Sequence, residues 1–183
     1  YLIGEAFHAL AIIKAESNAF KSKLLELLQD TNDKTTSKVV FCIHKSVVEC
    51  LKGMCEDLNI SHAVINGETA VKKRAPIVAK FQAGEIDVLI CSIKAAGVGL
   101  TMTHSNHVIL AESSWVPGNT MQAIDRCHRI GQTKTVYVDR VFCKSSIDDF
   151  IQQCEKGKRK MHKLLLKHLK EKKKHSTIDN YFN

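Results

Sequence analysis

The sequence lacks any apolar run long enough to span a membrane as a helix. Its amino terminus also lacks the charged, apolar and small-residue segments of a secretion signal. There is no Cys-x-x-Cys pair, and the number of cysteines, seven, is odd. Most of these cysteines lie within apolar runs. We therefore expect a soluble, intracellular protein whose cysteines are reduced core residues. Cys127 and His128 are adjacent, but neighbours on a helix point apart, so no zinc site is predicted.

Two nucleotide-binding signatures are missing as well. No Gly-x(4)-Gly-Lys-Ser/Thr and no Asp-Glu-x-His occurs, so this chain alone cannot cradle nucleotide phosphates and hold magnesium as a P-loop site does. Gly97 and Gly99 follow an apolar run, where backbone can approach a ligand closely, but Met102 stands where a dinucleotide fingerprint needs its third glycine. The glycine pair is therefore either a ligand-contacting loop or a structural turn, and nicotinamide binding is not favoured.

The charge is concentrated near the carboxyl end. The chain has 183 residues, of which 44% are hydrophobic, enough for one domain with an appendage. Its net charge is +8, but residues 156–175 hold ten Lys or Arg and one acid, which leaves the remainder at −1. A nucleic acid or an acidic partner is implied for this basic segment, and a solubilising charge run is the alternative.

The hydrophobic pattern predicts an α/β fold with a parallel sheet. Residues 4–29 form an amphipathic helix broken near Ser17-Asn18, and residues 30–37 form a loop. Apolar runs then alternate with helical segments, as crossover connections require. Helices are predicted at Val47–Leu58, capped by Ser46, and at Val71–Gln82. Strands are predicted at Val39–Ile43, Ala63–Ile65, Val88–Ser92, Val108–Ala111 and Val136–Phe142.

A last helix is predicted from Ile147 onward. Ser145 or Ser146 would cap it, and Asp148 and Asp149 would lie at its positive end. Its first turns would pack on the domain, and the lysine-rich stretch would follow them.

The stretch Gln122–Gln132 is the strongest candidate for chemistry. If this stretch is helical, Gln122, Arg126 and Arg129 lie at positions i, i+4 and i+7. Their side chains then share one face of the helix, which can bind an anion. Gly131 would end this helix. Guanidinium suits a transferring phosphoryl group, because it stays protonated and its planar fork matches phosphate oxygens. From the spacing alone, a solvated basic face is an equal alternative.

This stretch resembles the last motif of the Swi/Snf family of helicase-like, DNA-dependent ATPases. Four further segments resemble other motifs of the family's second lobe, in the right order over about Lys38 to Ile151: Val39–Lys45, Asn66–Arg74, Ser92–Thr101 and Trp115–Gly118. Ala95-Ala96 and Leu100-Thr101 are similar to the annealing-helicase branch, which remodels stalled forks.

The resemblance implies a RecA-like three-layer sandwich with helices on both faces of a mostly parallel sheet, plus a basic helix and tail. Arg126 and Arg129 would be arginine fingers positioned by Gln122, and Gly97 and Gly99 would lie near the nucleotide. ATP with Mg²⁺ would be held mainly by a first lobe that this chain does not contain. Contacts to the DNA backbone are implied for the following residues: His44, Lys45, Ser92, Lys94, Thr101, Lys158, Arg159 and Lys160.

The final residues suggest a protein partner. Ile178, Tyr181 and Phe182 would share one face of a single turn. The segment looks like a sliding-clamp-binding box, with His175 where glutamine is usual. The alternative is an ordinary chain end that matches a short motif by chance.

Four regions follow from these patterns: a helical lead-in (1–30), a RecA-like lobe (31–155), a basic helix or tail (156–175) and a clamp-binding box (175–183). We expect the second lobe of an ATP-dependent DNA translocase acting in repair or at replication forks, nuclear in a eukaryote. The alternatives are a non-catalytic adaptor that binds DNA and a clamp, or the lobe of a chromatin remodeller. The isolated chain is predicted to be inactive.

Overall fold

A five-stranded parallel sheet lies at the centre of the structure, a computed structural model that describes residues 2–30, 37–96, 99–158, 160, 161 and 164. The strands are β1 (Lys38–Cys42), β2 (His62–Ile65), β3 (Val88–Ser92), β4 (His107–Leu110) and β5 (Tyr137–Arg140). They lie side by side in the order β2-β3-β1-β4-β5, and every pair is parallel. The helices are α1 (Leu2–Glu16), α2 (Asn18–Gln29), α3 (Lys45–Asp57), α4 (Val71–Gln82), α5 (Ile93–Ala96), α6 (Pro117–Ile124) and α7 (147–158).

The central strand β1 is buried along its whole length. Val40 aligns with Ile90 of β3 on one side and with Ile109 of β4 on the other. Because successive strand residues point to opposite faces, β1 contributes to two separate cores. Val40 and Cys42 pack under α1, α2 and α3, whereas Val39 and Phe41 pack under α4, α5 and α6. The predicted three-layer α/β sandwich is confirmed.

Several predicted boundaries are also confirmed. The first helix breaks at Ser17, whose hydroxyl accepts a hydrogen bond from the Phe20 amide at 3.4 Å and caps α2. β3 and α4 have the predicted bounds. α7 begins at 147, and the Ser146 hydroxyl accepts a hydrogen bond from the Asp148 amide at 3.2 Å.

The cap predicted for α3 is wrong. This helix begins at Lys45 after His44, so Ser46 lies inside the first turn rather than before it. The Glu112 carboxylate, which follows β4, accepts hydrogen bonds from the Ile43 and His44 amides at 2.8 and 2.9 Å. A carboxylate 68 residues away therefore holds the entry to α3, which no local pattern could indicate.

A buried ion pair joins α1 to α7. Lys14 Nζ lies 2.5 Å from Asp148 Oδ2, and both side chains are only 1% exposed. The contact is an ion pair without hydrogen-bond geometry at Lys14, while Asp148 Oδ2 also accepts the Cys143 amide at 2.8 Å. The sequence predicts only that Asp148 complements the helix dipole of α7. The ion pair shows that Asp148 also holds α1 against the domain.

Four of the seven cysteines are core residues as predicted: Cys42, Cys55, Cys91 and Cys127 are buried. The other three are half-buried, and all seven are free. Burial raises the pKa of the Cys127 thiol to about 12 and raises that of Cys91 well above its ordinary value. No helix within the described part of the chain is long and apolar enough to cross a membrane.

Candidate nucleotide and nucleic-acid site

The arginines lie on a turn and not on the predicted helix. α6 ends at Ile124, and residues 125–131 form consecutive turns, which we call the arginine turn. The predicted i, i+4, i+7 face is therefore wrong. The Arg126 carbonyl accepts the Met102 amide at 2.8 Å instead of continuing the helical ladder, and the adjacent Cys127 is fully buried against the sheet. Gly131 does end the segment with a φ of +104°, a conformation that favours glycine.

The arginine turn contacts the segment that follows the predicted glycine loop. Arg129 Nη1 donates a hydrogen bond to Thr101 Oγ1 at 3.3 Å, beside the backbone bond from Met102 to Arg126. The two stretches singled out for nucleotide and DNA contact thus lie together. Arg129 is exposed and Arg126 is half-buried, and Gln122 is exposed on α6. The Arg129 side chain is therefore exposed on a turn whose backbone is held in place by the Met102 bond.

Gln132 is a positioning residue that the sequence does not single out beyond its place in the motif. Its Nε2 donates hydrogen bonds to the Thr103 and Ser105 carbonyls at 3.0 and 2.9 Å, with a longer contact to the Cys127 carbonyl at 3.4 Å. Its Oε1 accepts the Lys134 amide at 3.0 Å. One side chain therefore joins the arginine turn to residues 103–105.

At the carboxyl end of β1, His44 is held by a residue that the sequence did not indicate. His44 Nδ1 lies 2.6 Å from Glu112 Oε1, and the imidazole ring packs edge-on against Phe7 at 4.6 Å. Glu112 is 1% exposed. A buried carboxylate must be hydrogen-bonded, and here two amides and an imidazole satisfy it. The DNA contact of His44 remains a prediction, and Nε2 is the ring nitrogen that could make it.

The next residue, Lys45, is exposed and pairs with Glu68 at 2.9 Å. The hydrogen bond to Glu68 raises the pKa of the Lys45 ammonium, so this side chain stays charged. An exposed pair of this kind contributes little to stability, and the phosphate contact of Lys45 remains a prediction.

Arg74 bridges two loops at the same edge of the sheet. Its Nε and Nη2 donate hydrogen bonds to the Thr69 and Asn66 carbonyls at 3.0 and 3.3 Å. Its Nη1 reaches the Ala95 carbonyl on α5 at 3.4 Å. The Asn66–Arg74 motif thus has a structural role, because it ties the loop after β2 to the helix after β3.

The remaining predicted residues are placed as follows. Ser92 ends β3 half-buried, Lys94 is exposed on α5, and Gly99 has a φ of +57°. Lys158 on α7 donates a hydrogen bond to the Trp115 carbonyl at 2.8 Å, and Lys160 is exposed. Gly97 and Arg159 lie outside the described residues, as do His175, Ile178, Tyr181 and Phe182. Ser92 ends β3 and His44 follows β1, so both lie at the carboxyl ends of adjacent parallel strands, where such sheets bind ligands.

A covered parallel sheet, with an arginine turn bonded to the loop after β3, defines a lobe of the RecA-like class. Residues 20–131 match the family model described as the helicase conserved C-terminal domain. The crystal structure of the C-terminal part of the Fun30 ATPase domain superposes with a TM-score of 0.69 and 29% identity, over 78% of this chain and 46% of that one. The chain belongs to the helicase C-terminal domain family, as found in Swi/Snf-type ATP-dependent helicases.

Three relatives illustrate the match. The SWI/SNF-related matrix-associated actin-dependent regulator of chromatin subfamily A-like protein 1 of Xenopus tropicalis is 36% identical over 70% of this chain and 13% of its own length. Lymphoid-specific helicase of Homo sapiens is 31% identical over 82% of this chain and 18% of its own length. ATP-dependent helicase FUN30 of Saccharomyces cerevisiae is 32% identical over 77% of this chain and 12% of its own length. The chain spans less than a fifth of each of these relatives.

Proposed function

We propose that this chain is the second lobe of a DNA-dependent ATPase that translocates on duplex or forked DNA in repair or replication-fork remodelling. The observation that carries the proposal is the pair of bonds between the arginine turn and the loop before β4, from Arg129 to Thr101 and from Met102 to Arg126. These bonds join the arginine turn, whose guanidinium groups suit phosphate charge, to the loop that the family resemblance assigns to DNA contact. Movement of DNA against the loop would therefore displace the arginines, which is the coupling a translocase needs.

In this proposal Arg126 and Arg129 stabilise negative charge that develops on the transferring phosphoryl group. Gln122, exposed on the preceding helix, orients the turn toward the nucleotide, and Gly97 and Gly99 let backbone approach it. The described residues contain no cluster of three or more His, Cys, Asp or Glu that could hold a metal. As the family resemblance implies, Mg²⁺ and most of the ATP would be held by a first lobe that this chain does not contain.

DNA would be bound by two sets of residues. His44, Lys45, Ser92 and Lys94 follow the carboxyl ends of adjacent strands, and Thr101 lies beside the arginine turn. The second set is the basic segment, of which Lys158 and Lys160 are described. If the protein is from a eukaryote, we place its function in the nucleus, in keeping with the chromatin role in the printed name of the Xenopus relative.

A sliding clamp is proposed as a protein partner, from the sequence alone. His175, Ile178, Tyr181 and Phe182 would place an apolar face in a pocket of a sliding clamp, downstream of lysines that could steer the segment to an acidic surface. Without a first lobe, the same features would make a non-catalytic adaptor for DNA and the clamp. A chromatin remodeller lobe is the other alternative, which the printed name of the Xenopus relative favours.

ATP turnover tests the proposal. The chain alone should hydrolyse no ATP above background, with or without DNA, whereas the longer protein that contains a first lobe should show DNA-stimulated hydrolysis. Turnover by the chain alone would rule out a composite site, and a longer protein that lacks DNA-stimulated turnover would favour the adaptor.

A further inference from the structure

Helix α4 carries more positive charge than its own stability can explain. It contains Lys72, Lys73, Arg74 and Lys80 and no acid. Lys72 and Lys73 lie in the first turn, where the partial positive charge of the helix end makes cations unfavourable. The charges at this end therefore destabilise the isolated helix slightly, and an anionic partner would remove that penalty.

The same helix buries little of its apolar surface. Phe81 is its one buried residue, although a surface helix usually buries about three or four residues in every two turns. Val71 is 70% exposed, Pro76 is exposed and Ile77 is half-buried. Pro76 and Ile77 lie on the side of α4 that carries Lys72, Lys73 and Lys80, and Ile77 also packs against the core.

These side chains form one continuous surface. Two lysines at one end and a third at the other flank an apolar floor, which together we call the α4 groove: Lys72, Lys73, Pro76, Ile77 and Lys80. Their spacing puts them on one side of a helix, with Lys73 and Lys80 about 10 Å apart along the axis. Arg74 is not part of this surface, because its guanidinium turns inward to the Asn66 and Thr69 carbonyls.

The lysines of the α4 groove are available for a partner. None of the three forms an ion pair or a side-chain hydrogen bond with another residue in the described part of the chain. Glu68, the acid just before α4, is paired with Lys45 instead.

We propose that the α4 groove binds an acidic, amphipathic helix of a partner protein. Carboxylates two turns apart would meet Lys73 and Lys80, and an apolar side chain between them would pack on Pro76 and Ile77. Nucleic acid suits this surface less well, because nucleic-acid interfaces are polar, whereas the floor of the α4 groove is apolar. The lysine stems extend that floor while their ammonium groups stay in water.

A peptide-binding measurement on the 183-residue chain tests this inference. The probe is a synthetic amphipathic helix with Glu residues two turns apart flanking Leu, and a labelled duplex of mixed sequence serves as the second probe. In the variant with Lys72→Glu, Lys73→Glu and Lys80→Glu, peptide affinity should fall at least about tenfold. The matched control carries Lys23→Glu, Lys52→Glu and Lys144→Glu, which change the net charge equally at two exposed sites and one half-buried site outside α4 and should leave peptide affinity within about twofold.

Pro76→Gln separates the apolar contribution from charge. The substitution removes an exposed apolar wall and replaces a helix breaker with a better helix former, so loss of fold would not explain a loss of binding. Peptide affinity should fall about threefold or more, while duplex affinity is unchanged. Equal loss in the two lysine variants would make the binding nonspecific and overturn the proposal. Loss of duplex binding with the peptide unaffected would also overturn it, in favour of a DNA track.

Discussion

Arg129 and Thr101 are joined by a hydrogen bond of 3.3 Å although they lie 28 residues apart in the chain. The bond links the arginine turn to the segment that leads into β4. Because Met102 and Arg126 are bonded through their backbones at 2.8 Å beside it, the two segments form one unit. The position of the arginines therefore depends on residues that hold this unit together.

Gln132→Ala should loosen that unit. The substitution removes the donor to the Thr103 and Ser105 carbonyls and leaves them without this partner, which we expect to lower the free energy of unfolding by about 2 kcal/mol. Urea denaturation gives the value. Lys134→Ala is the matched control, because this side chain is exposed and only its amide contacts Gln132. Equal stability of the two variants would show that Gln132 does not hold the turn.

The Lys14–Asp148 pair should behave as a buried ion pair. Lys14→Met leaves the Asp148 charge buried without a partner, which we expect to cost about 3–5 kcal/mol of unfolding free energy. Adding Asp148→Asn should restore most of the loss, since it removes the charge and keeps an acceptor for the Cys143 amide. Lys23→Met, which breaks the exposed pair with Glu26, should cost less than about 1 kcal/mol. A double variant as unstable as Lys14→Met would mean that packing, not charge, dominates.

Thiol labelling tests the core. Burial raises the pKa of the Cys42, Cys91 and Cys127 thiols, so they carry little thiolate at pH 8 and are inaccessible as well. Iodoacetamide at pH 8 should modify half-buried Cys154 first and these three only after denaturation, as read by mass spectrometry. The unfolded thiols ionise near the ordinary value of 9.0 but the buried ones do not, so unfolding free energy should fall as the pH rises above about 9. Rapid labelling of Cys91 in the folded chain would contradict the packing.

Periodicity predicts the sheet and its helices well, because burial on two faces imposes a local pattern on each strand. β3 has its predicted bounds for that reason. Long-range contacts leave no such pattern. Glu112 holds His44 from 68 residues away, and the helix predicted for the arginines ends at Ile124, before the Arg126 carbonyl accepts the Met102 amide. Resemblance singled out both Arg129 and Thr101, but nothing in the sequence showed that they are bonded to each other or revealed the role of Gln132.

DNA binding should depend on the basic segment. Deleting residues from Lys156 onward removes ten Lys and Arg, so the dependence of log Kd on log salt should flatten by about 0.9 for each phosphate that this segment neutralises. Fluorescence anisotropy with a duplex across a salt series measures the slope. Deletion of Ile178–Asn183, which contains no Lys or Arg, is the control and should leave the slope unchanged. An unchanged slope in the longer deletion would move the DNA site to the lobe itself.

The central claim is tested most directly by the steady-state kinetics of Arg129→Ala in the longer, DNA-stimulated ATPase. We predict that kcat falls about a thousandfold while the affinity for ATP stays nearly the same, because a finger acts on charge that develops in the transition state. Arg129→Lys should not restore kcat, since an ammonium lacks the planar fork, and Lys134→Ala should be normal. Unchanged kcat in both Arg129→Ala and Arg126→Ala would show that these arginines are surface charges and would contradict the account.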